Sequence, residues 1–549
     1  MIPRGSPLRA LVALAALAGA LSPIVRVGAT TTIPSSDNAE TLTISLPGPF
    51  NGCSALDAGA TPTSDAVLDL IRPSAFQTTD AGNLVGEGAP IVTAELTSLS
   101  PETVVYTVAP DQLWSNRLIF SGADLLAWWN RARRLQGVLS DGYRAISSLT
   151  ESATGLTVTA VFATPYADWD LLFRDVEARG SAPGCAISNL VTRPSLGSYR
   201  AVSATTSRIV LEMNPEWTID PGRFGRLVLV TSDALPATRG AFFAGYSLAV
   251  TRAQLEALSA HPAVLSHIGT SSDIEEMTFA PSRPLTLPLR LREALSWSLD
   301  RQTIIDHLWD SVTFSPSVAA SALFSQGQVD YPGTVGTGPT DQTTTTALAS
   351  TGSPSGLADC SACAVQVLRL AGYQHVASGW ATDSDVPLRV RVAVGPSSVD
   401  QQTAAAVVAQ WQAAGIGATV ANVASDVDAS VAAAHDLVDV AIFSRPTTTT
   451  PSYTARSWYG PGYADSYPSG NRSTIASQLY LQAIANFNPV AARATWLALD
   501  GVVLNNYWVR PFFTAPSLVE WSSTLNGVYG SISVPGFLDQ VLTWSSTAS

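Results

Sequence analysis

The stretch Leu291-Arg-Glu-Ala-Leu-Ser-Trp-Ser-Leu-Asp300-Arg301 decides the fold of this chain, although only together with the segments around it. A short motif of this kind carries weight when its neighbours follow in a fixed order. Downstream, residues 388–394 alternate as a strand, residues 403–414 are helical in pattern, and residues 418–422 form the next strand. This order of elements predicts an α/β unit with a parallel pair of strands.

The N-terminal half is organised as short strands separated by turns. Ser121 is predicted to begin a helix, because its hydroxyl can cap a free amide of the first turn and the carboxylate of Asp124 favours the positive helix end. Period-two alternation predicts the strands of this half, at residues 41–46, 104–108, 209–213 and 226–231.

The first residues have the pattern of an export signal. Arg4 and Arg9 precede an apolar run over residues 10–21, and Val27-Gly28-Ala29 is a small-residue cleavage site. Cleavage there removes three arginines and no acidic residue, which takes the net charge from −13 to −16. So acidic a chain is not expected to bind nucleic acid or an anionic membrane surface. We expect an exported protein, at the extracytoplasmic face of the membrane or in a periplasm-like space.

Length and cysteine content indicate several structural units with disulfides. A chain of 549 residues exceeds what one core usually supports. Cys360 and Cys363 are predicted to form a local staple at a helix start, which leaves Cys53 and Cys185 as natural partners. A zinc site would need a second pair of ligands, and a thioredoxin-like site would need a strand before the helix. We therefore expect no metal and no cofactor.

In this order, the segments resemble the extracytoplasmic solute-binding proteins of family 5, the oligopeptide/dipeptide-binding type of ABC transporter substrate-binding protein. The resemblance covers roughly residues 41–545, and the arginine-only basic composition suggests a GC-rich genome, as in high-GC Gram-positive bacteria. It implies an α/β, two-lobed periplasmic-binding-protein-like fold (type II, cluster C) with an additional peripheral lobe. The implied boundaries are a signal peptide at 1–29, a discontinuous lobe I at 41–82, 195–285 and 521–549, a peripheral lobe II at 83–194, and lobe III at 286–520.

The resemblance also suggests a ligand site after the strand Val438-Asp-Val-Ala-Ile-Phe443, because ligands of α/β lobes lie at strand ends. Peptide-binding relatives carry a tryptophan in the next turn, and then an aspartate that pairs with the amino group of the peptide. Here Arg445, which follows Ser444, stands near the aromatic position, and threonines such as Thr448 stand where the aspartate would be. Threonine cannot balance an ammonium charge, whereas the guanidinium fork of Arg445 suits a carboxylate or phosphate. The alternative is an arginine paired with a surface carboxylate or stacked on a neighbouring aromatic ring.

Aromatic side chains complete the expected site. Tyr453 and Trp458 follow the turn, and Tyr246 is expected from the opposite lobe, where the family has a short helical turn beside the cleft. Packing in the core is the alternative for each. The candidate ligand-binding residues are therefore Ser444, Arg445, Thr448, Tyr246, Tyr453 and Trp458.

The resemblance implies capture of a small solute, peptide-like or other, by hinge closure and delivery to an ABC transporter permease. The partners would be a small-molecule or peptide ligand and the permease, and the protein would be a monomer. The alternative is a non-transport scaffold or regulatory protein of cell-envelope assembly, which the missing aspartate and the late first cysteine, Cys53, favour. An enzyme is not expected, because the elbow-like Gly245-Tyr-Ser247 lacks its final glycine and an acid-bearing partner segment.

Overall fold

The fold is built from strands and helices that alternate along the chain in a computed structural model. It describes residues 40–56, 61–86, 92–135, 140–182, 184, 186–219, 222–231, 242–258, 264–310, 312, 314, 316–328, 330–332, 357–447, 451–459 and 473–546. The strands are β1 (Thr41–Leu46), β2 (Gln77–Thr78), β3 (Leu84–Val85), β4 (Val92–Leu99), β5 (Glu102–Val108), β6 (Ile146–Glu151), β7 (Thr157–Phe162), β8 (Tyr199–Ala204), β9 (Arg208–Met213), β10 (Arg226–Thr231), β11 (Phe243–Ser247), β12 (Val264–Phe279), β13 (Tyr373–Val376), β14 (Gly379–Thr382), β15 (Arg389–Val394), β16 (Gly417–Asn422), β17 (Val440–Pro446), β18 (Val509–Ser522), β19 (Leu525–Asn526) and β20 (Ser545–Ser546).

The helices of the described residues separate the strands, and in the second half of the chain they alternate with strands as the sequence predicts. They are α1 (Pro62–Asp69), α2 (Gly122–Ala132), α3 (Ser140–Ala145), α4 (Arg252–Leu258), α5 (Leu289–Trp297), α6 (Arg301–Trp309), α7 (Ser361–Leu370), α8 (Ser398–Ala413), α9 (Asp426–Ala434), α10 (Pro451–Tyr459), α11 (Thr474–Ile484), α12 (Pro489–Asn505) and α13 (Val534–Asp539). Within the described ranges, none of these helices is long and apolar enough to cross a bilayer.

A ten-stranded mixed sheet joins the two halves of the fold, in the order β16-β15-β17-β12-β18-β11-β1-β10-β9-β8. β15 pairs in parallel with β16 and with β17, which confirms the predicted parallel pair. A separate four-stranded antiparallel sheet, β4-β5-β7-β6, is called the peripheral sheet below. Helices α10, α11 and α12 are called the helical layer.

Two long strands, β12 and β18, cross the middle of the large sheet as an antiparallel pair. Their register shifts between Thr270 and Ile274, so the ladder is interrupted there. At the interruption, the Ser271 hydroxyl donates to the Ala515 carbonyl at 2.7 Å and accepts from the Asp273 amide at 3.0 Å. Side-chain hydrogen bonds thus replace part of the missing ladder, as buried backbone groups require.

Each part of the fold has its own hydrophobic core. The buried residues that represent the cores are Ile44, Leu227 and Phe537 beside β1 and β10; Leu295, Val392 and Trp411 beside β15; Tyr106, Trp128 and Phe173 on the peripheral sheet; and Tyr480, Trp496 and Leu499 in the helical layer. Separate cores allow parts of a chain to move relative to one another with little repacking.

The deciding stretch forms the end of α5 and the start of α6. Leu291 and Leu295 are buried, and the Asp300 carboxylate caps α6 by accepting from the Thr303 amide at 2.9 Å. The buried Arg301 donates to the Ala319 and Pro511 carbonyls, each at 2.9 Å. The arginine therefore ties the helix pair to the long strand β18.

Local predictions at helix starts agree with the structure. The Ser121 hydroxyl accepts from the Ala123 amide at 3.2 Å, and Asp124 accepts from the Ser121 amide at 3.0 Å. Cys360 and Cys363 form the expected disulfide at the start of α7. Cys53 is disulfide-bonded, and its expected partner Cys185 lies outside the described residues.

Three boundaries differ from the sequence prediction. α8 begins at Ser398, ahead of residue 403, because the Ser397 side chain caps its first turn. β17 continues through Ser444 and Arg445 to Pro446, since β12 supplies strand partners as far as Asp273. Residues 243–247 form β11 instead of a short helical turn, because β1 and β18 pair with this segment on both sides.

Candidate functional site

Arg445 lies in the interior of the fold and is not in a turn. Its Nε and Nη2 donate to the Glu276 carboxylate at 3.0 and 2.8 Å, and the side chains are 3% and 0% exposed. Nη2 also donates to the Ala322 carbonyl at 2.5 Å, and the Ala322 amide donates to Asp500 of α12 at 2.9 Å. Glu276 thus pairs with this guanidinium fork inside the fold, and contact of Arg445 with a ligand stays a prediction.

Ser444 lies opposite Glu275 in the register of β12 and β17. Glu275 and Asp400 are fully buried, and the pKa of Glu275 is raised well above its ordinary value by desolvation, by the charge of Asp400 and by that of Asp426. Carboxyl groups crowded in this way favour the protonated form. Ser444 therefore neighbours a buried acidic cluster, and its contact with a ligand stays a prediction.

Tyr246 packs in the core beside the interrupted part of the long strands. Its side chain is buried, with the ring centroid 5.6 Å from that of Phe537. Burial, with the nearby charge of Asp273, raises the pKa of the Tyr246 phenol well above its ordinary value. The pKa of Asp273 is itself raised to about 6, mainly by desolvation. The packing alternative thus describes the position of Tyr246, while its contact with a ligand stays a prediction.

The remaining candidates fall at or near the start of α10. Thr448 lies outside the described residues, and Tyr453 and Trp458 belong to α10 with side chains that are outside the description. The first residue of α10, Pro451, lines a cavity of about 680 Å³. The start of α10, close in sequence to the expected ligand-binding residues, therefore lies at this cavity.

The cavity lies between the peripheral sheet and the helical layer. Leu96 to Leu99 and residues 167–169 form the wall on the peripheral side. The opposite wall carries aromatic, amide and charged side chains from the helical layer and its connections, namely Asn486, Phe487, Arg493, Trp496 and Asp330. A mostly apolar cavity with a few polar groups is the usual form of a small-molecule site.

The charged side chains on the two walls of the cavity differ in their pairing. Arg493 pairs with Asp330, with Nε 3.2 Å from Oδ1. Across the cavity, desolvation and the neighbouring Asp170 raise the pKa of Asp168 to about 7, against the opposing effect of the Ser452 hydroxyl. The Asp168 carboxyl can therefore gain or lose a proton near neutral pH when its surroundings change.

Direct contacts hold the peripheral side against the helical layer. Arg456 of α10 forms an ion pair with Asp141 of α3, and Arg456 is buried. The Ala167 amide donates to the Ile484 carbonyl at 2.6 Å. These contacts join segments separated by more than 300 positions, so they hold the two cavity walls together.

Five residues that line the cavity were not among the predicted site residues, namely Asp168, Trp169, Phe487, Arg493 and Trp496. Tyr166-Ala-Asp-Trp-Asp170 places acidic and aromatic side chains together in a segment without strand or helix period, which is a signal for a loop with a role. The residues from the helical layer carried no such signal, because Trp496 fits the apolar pattern of α12.

Two halves joined by long strands, each with its own core, form a two-lobed α/β fold. The model of the bacterial extracellular solute-binding proteins, family 5 (middle region), matches residues 102–466. The chain therefore belongs to this family, as its sequence segments suggested.

Similar curated proteins come from mycobacteria. The chain is 26% identical over 169 residues to LpqW of Mycobacterium tuberculosis, a probable monoacyl phosphatidylinositol tetramannoside-binding protein, which covers 30% of this chain and 25% of LpqW. It is 25% identical over 165 residues to the oligopeptide-binding protein OppA of Mycobacterium bovis, covering 28% of each chain. The matched region thus spans about a quarter of the length of these relatives.

Solved structures share the fold over nearly the whole chain. The periplasmic EDTA-binding protein EppA superposes with a TM-score of 0.78 at 16% identity, covering 93% of this chain and 97% of EppA. AppA of Bacillus subtilis, in complex with a nonapeptide, gives a TM-score of 0.69 at 11% identity and coverage of 92% and 99%. NikZ of Campylobacter jejuni, in complex with Ni(L-His), gives 0.70 at 13% identity and coverage of 92% and 99%. These likenesses confirm the expected two-lobed α/β fold.

Proposed function

We propose that this protein is an exported, monomeric solute-binding protein that captures a small solute between its halves and delivers it to an ABC importer. The observation that carries the proposal is the pair of long strands that joins two separate cores and leaves a cavity between the peripheral sheet and the helical layer. The basic and apolar pattern of residues 1–29 supports export.

Closure would occur by bending of β12 and β18 where their ladder is interrupted. Only a few backbone hydrogen bonds need to change at such a break, whereas the cores on either side move as units. A solute shifts the protein to the closed form only if it binds that form more tightly. The contacts of Arg456 with Asp141 and of Ala167 with Ile484 are ones that the closed form would gain.

The lobe boundaries proposed from the sequence are supported by the separate cores. Lobe I at 41–82, 195–285 and 521–549 contains most of the core beside β1, and lobe III at 286–520 contains most of the core beside β15. The peripheral lobe at 83–194 contains most of the core of the peripheral sheet, to which Phe76 also contributes.

A scaffold or regulatory role in cell-envelope assembly is the second candidate function. The Arg445–Glu276 ion pair supports it, because the cation expected to meet a ligand is used inside the fold. The partial likeness to LpqW, whose name gives a glycolipid ligand, is in keeping with a role at the envelope.

Native mass spectrometry of the protein purified from its own host tests the proposal, because a captured solute adds mass to the folded protein. A thermal-shift screen with peptides, anionic peptides and oligosaccharides follows, since a ligand that binds only the folded state raises its melting temperature. Trp169→Leu in the cavity should abolish the shift, and Trp297→Leu, a half-buried tryptophan elsewhere, should retain it. A protein with no bound mass and no stabilisation by any compound would contradict solute capture and favour the scaffold.

A further inference from the structure

We infer that the cavity between the peripheral sheet and the helical layer receives a small organic cation, an amine or quaternary ammonium group, held by the Asp168 carboxylate and the rings of Trp169, Phe487 and Trp496. The inference rests on the proposed function and names the chemistry of the ligand. It assigns the counter-charge to the peripheral side of the cavity.

The balance of charge in the cavity favours a cation. Arg493 and Asp330 neutralise each other across a 3.2 Å ion pair. Among the described residues, no arginine or histidine lies within ion-pair distance of Asp168, and Asp170 of the same turn adds a second negative charge close by. An anionic ligand would therefore meet net repulsion, whereas a cation would meet an uncompensated carboxylate in a desolvated setting.

The aromatic walls suit the same ligand. Trp169 is fixed by an edge contact with Phe76 at 5.5 Å, and Trp496 by a contact with Tyr480 at 6.0 Å between centroids. The two tryptophans belong to opposite walls, so a group between them can contact both rings. A cation near an aromatic face is attracted by the ring quadrupole, most strongly where water is excluded.

The affinity of the site for a cation is expected to depend on pH. A bound cation favours the ionised carboxylate, so apparent affinity follows the ionised fraction of Asp168. Asp170 and Tyr166 lie on its own segment, and the Ser452 hydroxyl of α10 faces it. The ion pair of Arg456 with Asp141 lies near Tyr166, and Asp330 and Arg493 are on the opposite wall. With the pKa of Asp168 at about 7, affinity should fall about tenfold between pH 8 and pH 6.

Isothermal titration calorimetry measures the affinities of choline and of dimethylbutanol, its uncharged isostere. The comparison separates the contribution of the charge to binding from that of the shape. The inference predicts that choline binds at least about tenfold more tightly than the isostere, and that Asp168→Asn reduces choline affinity by about tenfold or more. Asp306→Asn, a matched change on the exposed face of α6, should leave affinity unchanged. Equal binding of both compounds, or full choline affinity in Asp168→Asn, would overturn the inference.

The Asp168→Asn variant should fold, because the substitution removes a charge that is costly to desolvate. An unchanged melting temperature of the variant verifies its folding before titration. Putrescine and triglycine with a free or acetylated amino terminus distinguish a simple amine from a peptide end as the source of the cation. If none of these cations binds while an oligosaccharide or an anionic peptide does, the cation inference fails and solute capture stands. If no compound of any class binds and no mass co-purifies, both fail together.

Discussion

Replacing Glu276 with glutamine tests whether Arg445 stabilises the fold or serves a ligand. The two side chains are 3% and 0% exposed, and the Glu276 carboxylate accepts from both Nε and Nη2. Removal of one partner leaves a desolvated guanidinium without its counter-charge, which typically costs about 3–5 kcal/mol. We expect Glu276→Gln and Arg445→Met each to lower the free energy of unfolding by this amount.

The double variant Glu276→Leu/Arg445→Met removes the whole ion pair, and its stability can be compared with that of the variants that lose one partner. Replacement of a whole buried ion pair by apolar side chains is often neutral or stabilising, so the double variant should lie within about 2 kcal/mol of the wild type. Loss of the hydrogen bond to the Ala322 carbonyl contributes about 1 kcal/mol to this difference. Urea titration followed by the fluorescence of the 14 tryptophans measures these differences.

The surface ion pair of Arg117 with Glu216 is the matched control. Arg117 is 81% exposed, so Glu216→Gln should change the free energy of unfolding by less than about 1 kcal/mol. The interpretation of Arg445 would be refuted by single losses below about 1 kcal/mol, or by a double variant whose loss is the sum of the two single losses. Normal stability combined with lost solute binding would assign Arg445 to the ligand instead.

Two further predictions concern protonation and helix capping. The pKa values of the buried Asp273 and Asp500 are raised from 3.8 to about 6, so the folded state binds these protons more tightly than the unfolded state. The free energy of unfolding should therefore increase as pH falls from 8 to 5, by about 1 kcal/mol for each group. Urea midpoints that rise steadily with pH would contradict this prediction. Ser121→Ala should lower the free energy of unfolding by about 1 kcal/mol, because the Ala123 amide at 3.2 Å loses its cap. Ser121→Gly should lower it by less. Equal stability of Ser121→Ala and the wild type would show that the cap does not stabilise the fold.

Local chemistry explains what could be predicted from the sequence. Ser121 and Asp124 lie three positions apart, and Cys360 and Cys363 share one turn, so each pair can be judged from its spacing alone. The alternation of β15, α8 and β16 likewise comes from periods within short windows. These features require no knowledge of distant segments.

Long-range pairing explains what could not be predicted. β17 continues to Pro446 because a strand some 170 positions earlier supplies its partners, and Glu276 of that strand meets Arg445. The cavity depends on Asp168 and Trp496, which come together only when the peripheral sheet meets the helical layer. A tryptophan in an apolar helical pattern looks like core in the sequence whether or not it also lines a site.

The two sides of the cavity are expected to move apart and together about β12 and β18. Nitroxide labels at Leu118→Cys, on the peripheral side, and Leu481→Cys, on α11, occupy exposed positions from which electron–electron double resonance reads the separation. Asp141→Asn removes the charge that pairs with Arg456 and should add a population at longer distance, which choline binding should return to the shorter one. A single distance, identical in the wild type, in Asp141→Asn and with choline bound, would contradict the account.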